Sequence, residues 1–350
     1  MEIHSFYETI GRLFSRERTK RAGALLSSAG IPMSPEAFLG FLLTMDALLM
    51  LGAFLITSSI PLLRNEVLKL SVFLLPSFAA HSILVPFLLA FVLCVIATSV
   101  LVFVVSYSIL IMLADERKKQ VETVLPDFLM IASANVRAGM TVDSALWHAA
   151  KPEFGLLSRE VENVSKQAFG GTPFPKALDL LASRFDSKAL RRATALIKQG
   201  MASGGEMAQI LERTAEDSRS MQILAKEIYA SLLMYVIFIV FAAAIGTPFL
   251  FAVSTKLIAI LEGVFASMPA ISAAQSSGFM QPTAPTVRSS EFFLFTLASA
   301  VITSVFASLI IGVIQYGSKR QGIKYIPFLL GASLLVFLLV SALLDAYVSL

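Results

Sequence analysis

Long stretches without a charged side chain constrain the fold of this chain more than any other feature. Residues 84–113 contain no Asp, Glu, Lys or Arg, and residues 37–60 contain a single one, Asp46. Because a helix rises 1.5 Å per residue, about 20 apolar residues cross the roughly 30 Å hydrocarbon core of a bilayer. Only 15% of the whole chain is charged, against about 25% in a typical soluble domain. The sequence therefore predicts an all-α polytopic membrane protein.

Five apolar blocks have the length of a membrane span. They lie at residues 37–60, 84–113, 228–253, 291–313 and 327–346. The third block contains Pro248 after Gly246 and Thr247, which predicts a kink. Residues 70–82 are also apolar but are interrupted by Pro76 and His81. We interpret them as a re-entrant segment or as the outer end of the second span, rather than as a separate crossing.

The basic residues predict the orientation of the chain. If the N-terminus, residues 115–226 and the turn at 314–326 face the cytoplasm, all but four of the 28 Lys and Arg residues lie inside. Five spans then give a cytoplasmic N-terminus and an external C-terminus in the cell membrane. The four basic residues of the outer loops are Arg64, Lys69, Lys256 and Arg288.

These expectations divide the chain into four parts. We predict a cytoplasmic amphipathic lead-in at residues 1–36, two spans within 37–113, a cytoplasmic helical domain at 114–227, and three spans within 228–350 with an outer loop at 254–290. The lead-in places Ile3, Phe6, Ile10, Leu13 and Phe14 on one helix face, followed by basic residues. That pattern is typical of a helix lying on the membrane surface.

The domain between spans two and three has the composition of a soluble protein, because it holds 16 of the 28 basic residues. Apolar residues recur in it at intervals of three and four, which predicts six helices in a compact bundle. Helix ends are predicted by glycine and proline and by side chains that cap the first turn. The residues concerned are Gly139, Thr141, Ser158, Pro173, Ser187 and Gly204.

The sequence lacks the clusters that carry enzymatic chemistry. The three histidines stand apart, Cys94 has no partner cysteine, and neither a phosphate-binding loop nor a nucleophile elbow occurs. We therefore predict a protein that is not an enzyme, with no cofactor or metal. Arg213 and Arg219 interleave with four acidic residues, which favours a solvated ion-paired face over a metal site; the acidic residues are Glu206, Glu212, Glu216 and Asp217. The basic residues behind the net charge of +4 lie beside the predicted spans, where membrane orientation accounts for them, so we expect no nucleic-acid partner.

Three segments of the domain, and one before it, resemble a known family. They are VETVLPDFLMIASANVRAGMTVDSALWHAA, FGGTPFPKALDLLASRF, IKQGMASGGEMAQILERTAEDSR and, before the first span, LSSAGIPMSPEAFLG. Their order and spacing resemble the F domain of type II secretion and type IV pilus assembly platform proteins, particularly the short archaeal and tight-adherence forms. In this resemblance Leu125 and Pro126 open the first helix. The likeness covers roughly residues 22–254.

The resemblance implies a membrane platform at the base of a pilus, archaellum or secretion machine. Such a protein would bind a hexameric secretion ATPase and pilin-like subunits within the lipid bilayer, and would form a homodimer. Many relatives carry two F domains, whereas this chain has one domain and two extra C-terminal spans. The candidate ATPase contacts are six exposed cations, because charged residues at the edge of an interface steer two proteins together and fix their relative position. They are Arg184, Lys188, Arg191, Arg192, Arg213 and Arg219.

Two other classes of function compete with this interpretation. A secondary transporter would need broken helices and intramembrane polar groups, for which Asp46 and the Thr247–Pro248 break are candidates. A bundle-facing packing role is the alternative for Asp46. A membrane enzyme would need a nucleophile with a base and an orienting group, and the sequence shows no such cluster.

Overall fold

The computed structural model describes residues 7, 11, 15–59, 84–267 and 289–348, and every regular element in these ranges is helical. The prediction of an all-α chain is confirmed. The α-helices are α1 (Arg16–Ala29), α2 (Pro35–Ser59), α3 (Leu84–Arg137), α4 (Val142–Ala149), α5 (Leu156–Phe169), α6 (Phe174–Arg184), α7 (Lys188–Ser203), α8 (Met207–Phe241), α9 (Thr247–Ser267), α10 (Ser289–Tyr316), α11 (Lys319–Gly322) and α12 (Ile326–Val348). Short 3₁₀ turns lie at Pro152–Phe154 and Ile323–Tyr325, and a π-helical segment lies at Ala242–Gly246.

Five helical stretches of the described residues are long and apolar enough to cross a membrane. They are Pro35–Gly52, Thr98–Arg137, Met207–Val264, Phe295–Tyr316 and Lys319–Tyr347. Their number matches the five predicted spans, and the chain is a multi-pass membrane protein. The segment at 70–82, proposed to be re-entrant or part of span two, lies outside the described residues.

The chain divides into two compact units. The first comprises Met1–Ala47 and Ile109–Ser231, and the second comprises Leu48–Ser108 and Leu232–Leu350. The division falls within helices α2, α3 and α8, so each of these helices contributes residues to both units.

The first unit contains a bundle with one apolar core. We use the term bundle for the parts of α3 to α8 that supply this core. The apolar stripes predicted from residue spacing face inward, and burial of each large aliphatic side chain contributes about 1.5–3 kcal/mol. The core includes Val121, Leu125, Phe128, Leu129, Leu146, Leu157, Val161, Val164, Leu178, Leu181, Phe185, Leu190, Ile197 and Leu211.

The helix ends of the bundle follow local backbone chemistry. Gly139 adopts φ 92° just after α3, and the N–H of Met140 donates to the carbonyl of Asn135 at 3.2 Å, which satisfies a carbonyl at the helix end. The helix predicted to run from Ser187 begins at Lys188, and Ser187 is its cap, since its Oγ accepts from the N–H of Leu190 at 3.1 Å. Ser158 does not cap α5. That helix begins at Leu156, and the buried Ser158 hydroxyl donates to the carbonyl of Ala150 at 2.8 Å.

Pro126 lies inside α3, so the expectation that Leu125 and Pro126 open a helix is wrong. A proline inside a helix has no N–H to give to the carbonyl four residues earlier, here that of Glu122. The side-chain amide of Gln222, on α8, donates to that carbonyl instead. A partner from another helix therefore allows α3 to run without interruption for 54 residues.

The lead-in contributes α1, which packs against α3. Leu26 and Ala29 are buried together with Leu110 in a second small core of the first unit. A Cβ atom added to Gly30, at the end of α1, would lie 1.4 Å from a guanidinium nitrogen of Arg117, so the arginine sits directly against this helix end. The predicted apolar face at residues 3–14 falls almost wholly outside the described residues.

The second unit has a smaller core formed by α8, the π-helical segment, α10 and α12. Its buried members are Val236, Ala243, Ala244, Ala307, Ile311 and Leu329. The carbonyl of Ala242 accepts both the backbone N–H of Thr247 and, at 2.8 Å, the Thr247 hydroxyl. The π-helical segment thus lies directly before the Thr247–Pro248 break predicted from the sequence.

The predicted boundary of the outer loop at residue 254 is too early, because α9 continues to Ser267. Its apolar residues Leu257, Leu261 and Val264 recur at helical spacing. Lys256, which we assigned to the loop, lies in α9 and forms an ion pair with Asp345 of α12. Sequence spacing alone does not reveal that pair, since 89 residues separate its members.

Candidate functional site

A groove on the bundle lies between α3, α7 and α8. Its volume is about 290 Å³. Charged residues from all three helices and several apolar residues form its walls. The lining residues are Glu122, Lys188, Ala189, Arg192, Ala193, Leu196, Thr214, Asp217, Ser218 and Met221.

Glu122 is the centre of the hydrogen bonds around this groove. Its carboxylate Oε1 accepts from the Ser187 hydroxyl at 2.6 Å, and the same Ser187 oxygen accepts from the N–H of Leu190 at 3.1 Å. Its backbone carbonyl accepts from the Gln222 side chain. Glu122 therefore joins α3 to the start of α7 and to α8. Hydrogen bonds to a charged group contribute about 1.5–3 kcal/mol each, so this junction stabilises the arrangement of the three helices.

Two of the six candidate cations line the groove. Lys188 and Arg192 lie one turn apart on α7, and both are exposed. The guanidinium of Arg192 lies 3.8 Å from the Asp217 carboxylate on α8. An exposed pair of this kind contributes little to stability, at about 0–1 kcal/mol, because water screens both charges. The groove therefore presents charges of both signs around a partly apolar floor.

The other four candidates lie outside the residues that line the groove. Arg184 is 3.9 Å from Glu160, Arg191 is 3.3 Å from Asp186, and Arg219 is 2.6 Å from Asp127. Arg213 is exposed and has no ion-pair partner among the described residues. The structure therefore brings two of the six predicted residues into one concave site.

The ion pairs of α8 join it to other helices. We expected its acidic residues to interleave with Arg213 and Arg219 on a solvated, ion-paired face. Glu212 pairs with Arg137 of α3, and Asp217 pairs with Arg192 of α7. The charges of α8 thus connect it to neighbouring helices.

Asp46 lies in α2, within the first candidate span. Its Oδ1 atom is buried and has no hydrogen-bond partner among the described residues. An intramembrane carboxylate is costly when charged and unpaired, so this atom is the one polar feature of α2 that packing leaves unsatisfied in the described part of the chain. Whether Asp46 has a functional or a packing role stays a prediction.

The site residues predicted from the sequence do not include Glu122, Ser187 or Gln222. A signal for Glu122 existed, because Pro126 four residues later must leave its carbonyl without the usual helical donor. No signal in the sequence pairs Glu122 with Ser187, which lies 65 residues away.

Comparison with known proteins bears on this region directly. A family model described as Type II secretion system (T2SS), protein F, matches residues 128–255. Residues 128–255 are therefore similar to the F domain of type II secretion systems. This F domain includes the α3 residues that follow Asp127, all of α4 to α8, and the start of α9. Lys188, Arg192 and Asp217 of the groove belong to it, whereas Glu122 precedes it.

The chain also resembles an archaeal protein. Over 223 residues the chain is 24% identical to an uncharacterised protein of Methanocaldococcus jannaschii, MJ1286. The alignment covers 63% of this chain and 34% of the relative, so the chain spans about a third of the length of the curated protein it matches. No solved structure matches the chain significantly. The F domain thus supports a secretion or pilus assembly platform family for this multi-pass membrane protein.

Proposed function

We propose that this chain is the membrane platform of a type IV pilus-like or type II secretion machine. It couples a cytoplasmic secretion ATPase to the extraction of pilin-like subunits from the bilayer and to their addition to a filament. The observation that carries the proposal is the F domain match at residues 128–255, in a chain with five candidate membrane spans.

Two continuous helices support a mechanical role. α3 supplies both a candidate span and the first wall of the bundle core, and α8 supplies the last wall and enters the next span. No loop intervenes between core residue Leu125 and the span within α3, or between core residue Ala215 and the span within α8. In our proposal a movement imposed on the bundle by an ATPase passes along these helices into the membrane.

The orientation belongs to the same proposal. We place the bundle and the N-terminus in the cytoplasm and the C-terminus outside, because this arrangement keeps most basic residues on the cytoplasmic side. We also propose a homodimer, which size-exclusion chromatography with light scattering would test. The four-part division at residues 1–36, 37–113, 114–227 and 228–350 is retained, with α9 extending the last membrane helix before the outer loop.

The groove is our proposed ATPase contact. Lys188 and Arg192 present exposed cations beside the apolar side chains of Leu196 and Met221, a combination that suits recognition by a folded protein partner. Because Arg192 is already paired with Asp217 at the surface, a partner carboxylate would exchange one exposed pair for another at small cost.

A pull-down from native membranes tests both the platform function and the role of the groove as the ATPase contact. The tagged wild-type chain should recover a secretion-type ATPase together with pilin-like proteins, identified by mass spectrometry. The double variant Lys188→Glu and Arg192→Glu should reduce ATPase recovery about tenfold or more, since reversal of rim charges adds like-charge repulsion.

The matched control is the double variant Lys166→Glu and Lys176→Glu. Both lysines are exposed, lie outside the groove, and have no ion-pair partner among the described residues. Circular dichroism should give the same helix content for all three proteins. Equal ATPase recovery by the two variants would remove the groove from the proposal. Failure of the folded wild-type chain to recover any ATPase would remove the platform function itself.

A further inference from the structure

A second cluster of cations lies in the second unit, at the turn between α10 and α12. We call residues 317–325 the basic turn. It contains Lys319, Arg320 and Lys324, and it joins two helices that are each long enough to cross a membrane. A turn between consecutive spans lies at the bilayer surface, at the level of the lipid headgroups.

The basic turn is held in place by close backbone packing. A Cβ atom added to Gly312 of α10 would lie 2.2 Å from the backbone nitrogen of Gly322, so the two backbones touch where neither residue has a side chain. The Ser108 hydroxyl of α3 donates to the carbonyl of Lys324 at 2.9 Å. These contacts fix the turn before any ligand arrives, which lowers the entropic cost of binding.

The side chain of Arg320 is oriented for a planar contact through two nitrogens. Its Nε donates to the hydroxyl of Tyr107 at 2.9 Å. Among the described residues its two terminal nitrogens make no hydrogen bond and no ion pair, and the side chain is exposed. A guanidinium held by Nε presents these two nitrogens as a fork that matches two phosphate oxygens.

The neighbouring lysines keep the site positive. Lys319 is exposed and has no ion-pair partner within the described ranges. The ammonium of Lys324 lies 3.9 Å from the ring centroid of Tyr316 and 5.2 Å from that of Tyr325. A cation–π contact positions an ammonium group without neutralising its charge. The turn therefore gathers three positive charges around tyrosine rings.

An exposed aromatic ring continues the site toward the apolar part of the span. Phe103 stacks on Tyr107 with ring centroids 6.0 Å apart and is 65% exposed. It lies one helical turn before Tyr107 in α3, among apolar residues of the second candidate span. A ligand with a phosphate at Arg320 and a hydrocarbon chain beside Phe103 would contact both surfaces.

We propose that the basic turn binds the headgroup of an acidic phospholipid. Arg320 binds the phosphate through its two terminal nitrogens, Lys319 and Lys324 add electrostatic attraction, and an acyl chain packs along Phe103. Phe103 is the reason for assigning a lipid rather than free phosphate, because inorganic phosphate gains nothing from an apolar ring. The assignment does not depend on the proposed platform function.

Lipid titration of the purified full chain tests the proposal. The protein in nonionic detergent is titrated with dioctanoyl phosphatidylglycerol, dioctanoyl phosphatidylcholine or sodium phosphate, and bound ligand is counted by native mass spectrometry. The wild-type chain should bind the phosphatidylglycerol more tightly than the phosphatidylcholine. Arg320→Gln should weaken its binding about tenfold, since the charge and the fork are both lost. Tyr107→Phe keeps the charge but frees the guanidinium, and should weaken binding about threefold.

Two further variants make the test specific. Arg320→Lys restores the charge without the fork and should give an intermediate affinity. Arg213→Gln removes an exposed arginine from the bundle and should leave lipid binding unchanged. Circular dichroism checks each fold, and if Arg320→Gln loses helix content, Tyr107→Phe and Lys319→Gln carry the test.

Three outcomes would overturn the proposal. Equal binding of phosphatidylglycerol and phosphatidylcholine would show that the turn does not select acidic headgroups. Wild-type affinity in folded Arg320→Gln, or in folded Tyr107→Phe and Lys319→Gln, would exclude the turn as the site. Inorganic phosphate binding as tightly as the lipid would assign a free anion instead.

Discussion

The bundle and the second unit use the same apolar side chains in opposite ways. In the bundle, Leu157 and Leu190 are at most 2% exposed, whereas Phe328 and Leu338 of α12 are 71% and 62% exposed. An apolar side chain that must be removed from water has to be covered by protein, but one that faces lipid tails needs no cover. In the bundle, burial of an apolar side chain therefore contributes to the free energy of folding. In the spans, burial mainly shows where one helix contacts another.

The two regions also differ in how they hold cations. Arg192 and Arg219 of the bundle lie beside carboxylates of other helices. In the basic turn, Arg320 contacts a tyrosine hydroxyl and Lys324 lies over two tyrosine rings. The bundle neutralises much of its charge locally, while the exposed Lys319 and Arg320 have no ion-pair partner among the described residues and keep the turn positive. This contrast is why we assign a protein partner to the first surface and an acidic lipid to the second.

The largest expected effect is a loss of stability when a leucine of the bundle core, and not one on the exposed face of α12, is shortened. Leu157→Ala should lower the free energy of unfolding by about 2–5 kcal/mol, because it leaves a cavity in the bundle core. Leu338→Ala, the matched change on the exposed face of α12, should alter stability by less than about 0.5 kcal/mol. Guanidinium unfolding in detergent measures both, with Trp147 fluorescence reporting the bundle and circular dichroism all helices. Equal losses would show that α12 is covered by another protein surface.

An intermediate effect is expected at the polar junction of the bundle. Glu122→Ala should cost about 1.5–3 kcal/mol, since the Ser187 hydroxyl loses its charged acceptor. Glu122→Gln keeps an oxygen at this position and should recover about half of the loss. The same fluorescence-monitored unfolding applies, because Trp147 is the single tryptophan of the chain and its ring lies 5.9 Å from that of Phe169. A glutamine variant as unstable as the alanine variant would argue against the hydrogen bond.

The smallest effect concerns the surface ion pairs. Arg219→Gln should cost at most about 1 kcal/mol, although its nitrogen lies only 2.6 Å from the Asp127 carboxylate, because both side chains are more than half exposed. The loss should shrink further in 0.5 M salt, where exposed charges are screened. Thermal unfolding at low and high salt provides the measurement. A loss of several kcal/mol that persists in salt would mean that this pair is desolvated in the assembled protein.

The span composition and the apolar periodicity of the bundle were predictable because they are local properties of the sequence. The stripe that contains Val121, Leu125 and Leu129 is buried as its spacing requires. The cap at Ser187 was also predictable, because a cap depends on the three residues that follow it. Ser158 has the same chemistry but donates to Ala150 instead, a choice set by the 3₁₀ turn between the two residues.

The candidate site depended on pairings that the sequence does not contain. Exposed cations could be selected by composition, but only packing of α3, α7 and α8 puts Lys188 and Arg192 in a common groove. Likewise, Lys256 and Asp345 look like two isolated charges until α9 and α12 bring them together. The prediction that a helix begins at Pro126 was wrong for a physical reason. The side chain of Gln222, almost 100 residues further along the chain, donates to the carbonyl that Pro126 leaves without a helical partner.

The π-helical segment Ala242–Gly246 has a consequence for reading related sequences. A π turn holds one more residue than an α turn, so it shifts every following side chain by about 100° around the helix axis. Apolar positions counted at a constant period from α8 into α9 therefore lose phase at Ala242. A relative with an uninterrupted α-helix here would align correctly only with a one-residue gap among the alanines 242–244. Deletion of one of these alanines should convert the π turn into an α turn and leave the residues of α9 on the same faces.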